Sequence, residues 1–208
     1  MEDSNLEPKK LHLIKLYLLG YENTGKTTLI SSILDLKKTN KYTPTIGIEL
    51  QTNLIQVLIN NKIYNAKIQF YEIGGSPRFR GLITPKVFEK ANIILFVYNN
   101  NDQKSFDKLK DIYYNCFDNY EDKPLCYIIC NKVDIVNDNI EDKKIYELKE
   151  EVLEFCEENK LGFLHCSSFP ENCTKFCRKS DYYDQKNNLF KNILKEVIIP
   201  NYFKQNNI

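Results

Sequence analysis

Gly20-Tyr21-Glu22-Asn23-Thr24-Gly25-Lys26-Thr27-Thr28 is a G-x-x-x-x-G-K-[ST] phosphate loop. It follows Leu11–Leu19, an apolar run that reads as a strand. It precedes Leu29, Ile30, Ile33, Leu34 and Leu36, an apolar face at helical spacing. Strand, loop and helix in that order open an α/β domain that binds nucleoside phosphates. Gly20 lets the chain leave the strand tightly, and Gly25 lets backbone N–H groups close around phosphate oxygens. Lys26 is expected to reach the outer phosphates and Thr27 to offer its hydroxyl to Mg²⁺, while the helix aims its positive end at the anion. Glu22, Asn23, Thr24 and Thr28 complete the cradle.

Working outward, the 208 residues suffice for one α/β domain with a full core. The formal net charge is +1, so no overall field draws the chain to nucleic acid or to a membrane surface. No apolar run is long enough to span a bilayer. The start has no secretory leader and no Gly at position 2, and the last residues contain no cysteine. The expectation is a cytoplasmic protein without a direct lipid anchor, whose membrane recruitment would come from a partner. Of seven cysteines, Cys116, Cys126, Cys130 and Cys156 sit in apolar patterns and read as buried thiols. Cys166, Cys173 and Cys177 cluster near His165; they read as ordinary reduced cysteines in a loop, with a zinc site as the alternative.

Residues 1–10 read as a disordered lead. Ile46–Ile59 and Ile63–Tyr71 read as two strands joined by an Asn60-Asn61 hairpin turn, with Ala66, Ile68 and Phe70 on one face. Ala91–Tyr98 and Leu125–Cys130 are apolar enough for strands buried on both faces. Leu161–His165 makes a last short strand. Phe106, Leu109, Ile112, Tyr113 and Cys116 recur at helical spacing, as do Ile145, Leu148, Val152 and Phe155. Phe190, Ile193, Leu194 and Val197 mark a final helix stopped near Pro200. This order predicts a three-layer α/β fold over 11–200, followed by a short tail at 201–208. Its six-stranded sheet should be mostly parallel with one antiparallel edge strand and the ligand at the carboxyl ends. Each motif is read as falling just after a strand. Residues 169–184 form a long loop.

Asn131-Lys132-Val133-Asp134, directly after the strand at 125–130, selects the base. The Asp134 carboxylate can accept from guanine N1–H and its 2-amino group. Adenine would leave that carboxylate unsatisfied, which is costly in a buried site. Asn131 can bond the base and tie this loop to the phosphate loop, and the Lys132 stem can lie on the purine face.

With both motifs in place the chain resembles the Ras superfamily of small GTPases over nearly its whole length, with mixed Rab-like and Arf-like features. Glu22 and the G-K-T-T continuation resemble the Arf phosphate loop, whereas the long segment from Thr45 to Glu72 is closer to Rab proteins. Tyr42-Thr43-Pro44-Thr45-Ile46-Gly47 resembles the first switch, with Thr45 as the threonine that closes on Mg²⁺ and the γ-phosphate. Tyr71-Glu72-Ile73-Gly74-Gly75-Ser76 resembles the second switch, and Cys166-Ser167-Ser168 resembles the loop whose backbone N–H meets guanine O6, in a register ambiguous by one residue. The resemblance implies a Ras-like P-loop G domain that binds GTP/GDP with Mg²⁺ and acts as a molecular switch in intracellular trafficking. Effectors, exchange factors and GTPase-activating proteins would meet residues 38–50 and 72–90; nucleic acid is not an expected partner.

Two positions depart from that pattern. Glu72 stands where the family has an Asp that holds the Mg²⁺ shell, usually through water. The longer side chain could touch the metal directly, crowd the site, or serve as the Asp does. Ser76 stands where a Gln orients the attacking water; it is a short substitute, so hydrolysis is expected to be slow without an activating partner. The alternative is a GTP-locked, hydrolysis-deficient scaffold. An ATP-using kinase or ATPase is a further rival that Asp134 argues against. Arg78, Arg80 and Lys86 read as a solvated basic face, or as a reach toward the γ-phosphate.

Overall fold

The computed structural model describes residues 11–36, 43–117, 123–134, 142–167 and 190–207. Ser168, Cys173, Cys177, the lead at 1–10 and the loop at 169–184 lie outside the described residues.

Six strands form one sheet: β1 (Leu11–Leu19), β2 (Ile48–Ile59), β3 (Lys62–Ile73), β4 (Ile93–Asn99), β5 (Leu125–Asn131) and β6 (Gly162–His165). Their spatial order is β2-β3-β1-β4-β5-β6. Only the β2–β3 pair is antiparallel, with β2 at the edge, as the sequence predicts. Asn60 (φ 48°) and Asn61 (φ 60°) both lie in the left-handed region, the signature of a two-residue type I′ hairpin that matches strand twist.

The helices are α1 (Lys26–Ile33), α2 (Pro85–Phe88), α3 (Gln103–Phe117), α4 (Asp142–Asn159), α5 (Phe190–Ile193) and α6 (Ile199–Gln205), with a 3₁₀ turn at Pro77–Leu82. Alternation along the central strands splits the core into two layers. Leu16 and Leu18 of β1 join Leu29, Ile30, Ile193 and Phe203 on one side of the sheet. Tyr17 and Leu19 join Phe88, Phe106, Tyr113 and Phe155 on the other. Cys116, Cys126, Cys130 and Cys156 are buried free thiols, as read from their apolar surroundings.

The structure corrects three details. Helix α1 ends at Ile33 because Asp35 turns into positive φ (53°), which leaves Leu36 exposed rather than on the apolar face. The final helix does not stop near Pro200. A π-helical stretch at Leu194–Ile198 joins α5 to α6 without a break, since Ile193, Ile198 and Ile199 all keep right-handed helical angles, and Pro200 is carried inside the continuous helix just after the widened turn. Tyr202 and Phe203 are therefore buried, and 201–205 belong to the packed helix rather than to a tail. Asn92 Nδ2 donates to the Tyr202 hydroxyl at 3.0 Å, and Asn92 Oδ1 accepts from Lys15 N–H at 2.8 Å, which fixes α6 against the sheet. Thirdly, Thr45 precedes a strand. Because β2 runs antiparallel, its start still lies at the edge where β1 and β3 end.

Candidate functional site

The carboxyl ends of β1, β3 and β5 bring three loops together. The turn after β1 keeps Gly25 at φ 91°, in the left-handed region, immediately before α1. A Cβ on Gly25 would collide with Asn131 Nδ2. That amide nitrogen donates to the Thr24 carbonyl at 2.8 Å, in a fully buried contact across the domain. Lys132, itself at φ 62°, sends its ammonium to the Asn23 carbonyl at 2.7 Å. Burial lowers the Lys132 pKa, with Asp134 and Asp102 opposing that shift. The tie between Asn131 and the phosphate loop, expected from sequence, is therefore present, and Lys132 adds a second one that the sequence reading did not foresee.

Beside them, Ser167 Oγ donates to Asp134 Oδ1 at 2.6 Å, and both residues are buried. Cys166, fully buried, directs its thiol toward Asn131 Oδ1 at 3.6 Å, while its N–H donates to the Cys130 carbonyl at 2.8 Å. Cys166 thus faces Asn131 and Ser167 faces Asp134, which orders this segment against the base-selecting loop.

At the other end of the cradle, Lys26 is only 4% exposed, and its ammonium donates to the Gly20 and Tyr21 carbonyls at 2.9 Å each. One of its three N–H groups is left for an anion. Burial lowers its pKa to about 8, with the Glu72 and Glu22 carboxylates opposing that shift. The first and second switch segments close against this loop. Gly74 N–H donates to the Gly47 carbonyl at 2.9 Å, and a Cβ on Gly75 would run into the Tyr21–Glu22 backbone. Sequence could not reveal these contacts, which depend on how tightly three separate loops pack.

Three oxygens meet at the centre. Glu72 Oε1 accepts from Thr27 Oγ1 at 2.6 Å and from Thr45 Oγ1 at 3.0 Å, and the two hydroxyls lie 3.2 Å apart. Glu72 is 1% exposed, and its second oxygen has no hydrogen-bond partner among the described residues. Burial raises its pKa; the Thr27 hydrogen bond, Lys26 and Thr45 pull the other way, and Glu49 adds to the rise. Hard oxygens converging beside a buried carboxylate suit Mg²⁺, so the residues present fit the ion. Ser76 is half-buried ahead of the 3₁₀ turn and caps nothing with its side chain. Arg78 and Arg80 are exposed, and the Arg78 guanidinium lies 5.0 Å over the Phe79 ring. His165 packs on Phe163 with centroids 4.6 Å apart, and burial, helped by Lys149, lowers its pKa to about 4. Among the described residues no cluster of metal-ligating side chains accompanies it.

A model of the Ras family matches residues 15–175, from within β1 to beyond β6. The chain belongs to the Ras family. This small GTPase is 30% identical over 158 residues to the GTP-binding protein YPT1 of Saccharomyces cerevisiae, covering 76% of its own length and 71% of that protein. It is 27% identical to the Ras-related protein Rab-1 of Theileria annulata, covering 76% and 67%. It is 30% identical to the Ypt/Rab-type GTPase ypt7 of Schizosaccharomyces pombe, covering 72% and 70%. The GTPase is Rab-like. Among its described residues no helix is long and apolar enough to cross a membrane.

Proposed function

We propose that this GTPase is a GTP/GDP switch that regulates partner binding in intracellular membrane traffic, with slow hydrolysis of its own. The observation that carries the reading is the meeting of Thr27, Thr45 and Glu72, one residue from the phosphate loop and one from each switch segment. A ligand at that point would hold both switches, and losing its outer phosphate would release them.

Each residue has a role in this reading. Asp134, held by Ser167, accepts from the guanine edge, and Asn131 and Lys132 fix the base loop to the phosphate loop. Asn23, Thr24, Gly25 and Thr28 present backbone N–H groups to the phosphates, with Glu22 beside them. Lys26 spends its remaining donor on the outer phosphates. Thr27, Thr45 and Glu72 would hold Mg²⁺, which when bound neutralises charge on the β- and γ-phosphates. Gly75 lies close enough to Tyr21 and Glu22 to offer its N–H to a γ-phosphate. Ser76 is too short to orient water as a Gln does, so positioning is left to an activating partner. Ile46, 74% exposed, with Ile48 and Leu50 gives the first switch an apolar docking surface for effectors.

Titration calorimetry with GTP, GDP and ATP in the presence of Mg²⁺ tests the reading. Tight guanine binding with ATP at least 10³-fold weaker is expected, and equal affinity for ATP overturns it. A GTP-locked scaffold is the second reading, and the short Ser76 favours it. GTP retained for many hours, even with candidate activating proteins, would decide for the scaffold.

A further inference from the structure

An Asp at position 72 would end about one C–C bond, ~1.5 Å, short of the point that Glu72 reaches. Set back by that much, a carboxylate oxygen falls outside bonding distance of a cation that the longer side chain would touch, and a water can bridge the two. Here the longer side chain closes that gap, and Oε1 touches both threonine hydroxyls directly.

The spacing of the three oxygens, set by hydrogen bonds in the empty site, also matches a metal shell. In an octahedral Mg²⁺ shell, adjacent ligands lie √2 times the metal–oxygen distance apart, about 2.8–3.0 Å. Thr27 Oγ1, Thr45 Oγ1 and Glu72 Oε1 are separated by 2.6, 3.0 and 3.2 Å. They outline one triangular face of such an octahedron. For a cation to sit on that face, the two hydroxyl protons need only rotate away while the heavy atoms stay in place. The carboxylate also wants a counter-charge. It is sealed from solvent, Oε2 has no hydrogen-bond partner among the described residues, and Lys26, whose charge acts on it, makes its hydrogen bonds to the Gly20 and Tyr21 carbonyls instead. A buried anion in that condition is costly until a cation arrives.

We infer that Glu72 is a direct ligand of the divalent cation, taking the coordination position that a shorter carboxylate leaves to water. The inference rests on the switch reading above. Two threonine hydroxyls, one carboxylate oxygen and one oxygen from each of two phosphates fill five positions, leaving one water. Ligation through water would leave two.

The count is measurable with Mn²⁺ in place of Mg²⁺ and a non-hydrolysable GTP analogue bound. Broadening of the Mn²⁺ spectrum in ¹⁷O-enriched water reports the number of metal-bound waters. One water is expected in the wild-type protein and two in Glu72→Asp. Two waters in the wild type overturn the inference and leave the switch reading intact. Failure of the wild type to retain the analogue with Mn²⁺ overturns both. Should Glu72→Asp fail to fold, the wild-type count alone decides.

Discussion

Asn131 Nδ2 and the Thr24 carbonyl are joined at 2.8 Å across 107 residues of sequence, inside the fold and away from water. This bond ties the loop after β5 to the loop after β1. Replacing Asn131 by Ala leaves a buried carbonyl without its donor, at a cost of about 1–3 kcal/mol in stability. Urea unfolding of Asn131→Ala should show that loss in the nucleotide-free protein. Calorimetry should show guanine-nucleotide affinity falling at least tenfold, because the two halves of the site lose their fixed spacing.

Ser76 makes no side-chain cap at the start of the 3₁₀ turn, so a longer residue there leaves the turn intact. Ser76→Gln should therefore raise unaided GTP hydrolysis by up to about 100-fold, the penalty that roughly 1 Å of misplacement carries. Single-turnover assays measure this. An unchanged rate would mean that water positioning is not what Ser76 lacks.

The buried thiols set an alkaline limit on the fold. Burial pushes Cys116, Cys126, Cys130 and Cys156 from 9.0 up to about 12. A group with a raised folded-state pKa binds more protons folded than unfolded in that window. Its contribution is fully present below pH 9 and is lost as pH climbs toward 12. Each thiol should lower stability by up to about 1.4 kcal/mol per pH unit there. Comparing wild type with Cys126→Ala by urea unfolding at pH 8, 10 and 11 isolates one such slope, since the variant should lose less with pH.

Phe203 is fully buried in α6, and its ring meets His12 and Tyr64 at centroid distances of 4.9 and 5.0 Å. Phe203→Ala should cost about 3–5 kcal/mol. Truncation after Pro200 should cost at least as much, because it also removes Tyr202 and its bond from Asn92. Thermal unfolding measures both, and unchanged melting of the truncated chain would show that α6 adds nothing to the core.

Much of this was readable in the residues. The alternation of Ala66, Ile68 and Phe70, all fully buried, announced a strand with one core face, and Asn60-Asn61 announced its hairpin. Leu109, Tyr113 and Cys116 marked the buried face of α3 at helical spacing. Pro200 misled because a proline removes one N–H and crowds the preceding turn, yet the helix continues past it when that turn widens into a π stretch. The phosphate-loop and base-loop residues are legible because short spacings encode them. The sharing of one Glu72 oxygen by Thr27 and Thr45 is not, because positions 45 and 27 residues apart in the chain must first be folded together to create it.

The Asn60-Asn61 turn acts on chemistry it never touches. Thr45 and Glu72 lie at the open mouth of one hairpin, where Ile48 pairs with Ile73 and Glu49 with Glu72. The alignment of that mouth is fixed at its closed end, twelve residues of β2 away, roughly 40 Å along the strand. A one-residue slip at the tip would turn every side chain to the wrong face, and a two-residue slip would carry Thr45 about 7 Å past its carboxylate. The tip is thus the ruler against which the two switches are measured, and a lengthened turn there would mistune the distant site while leaving all its residues in place.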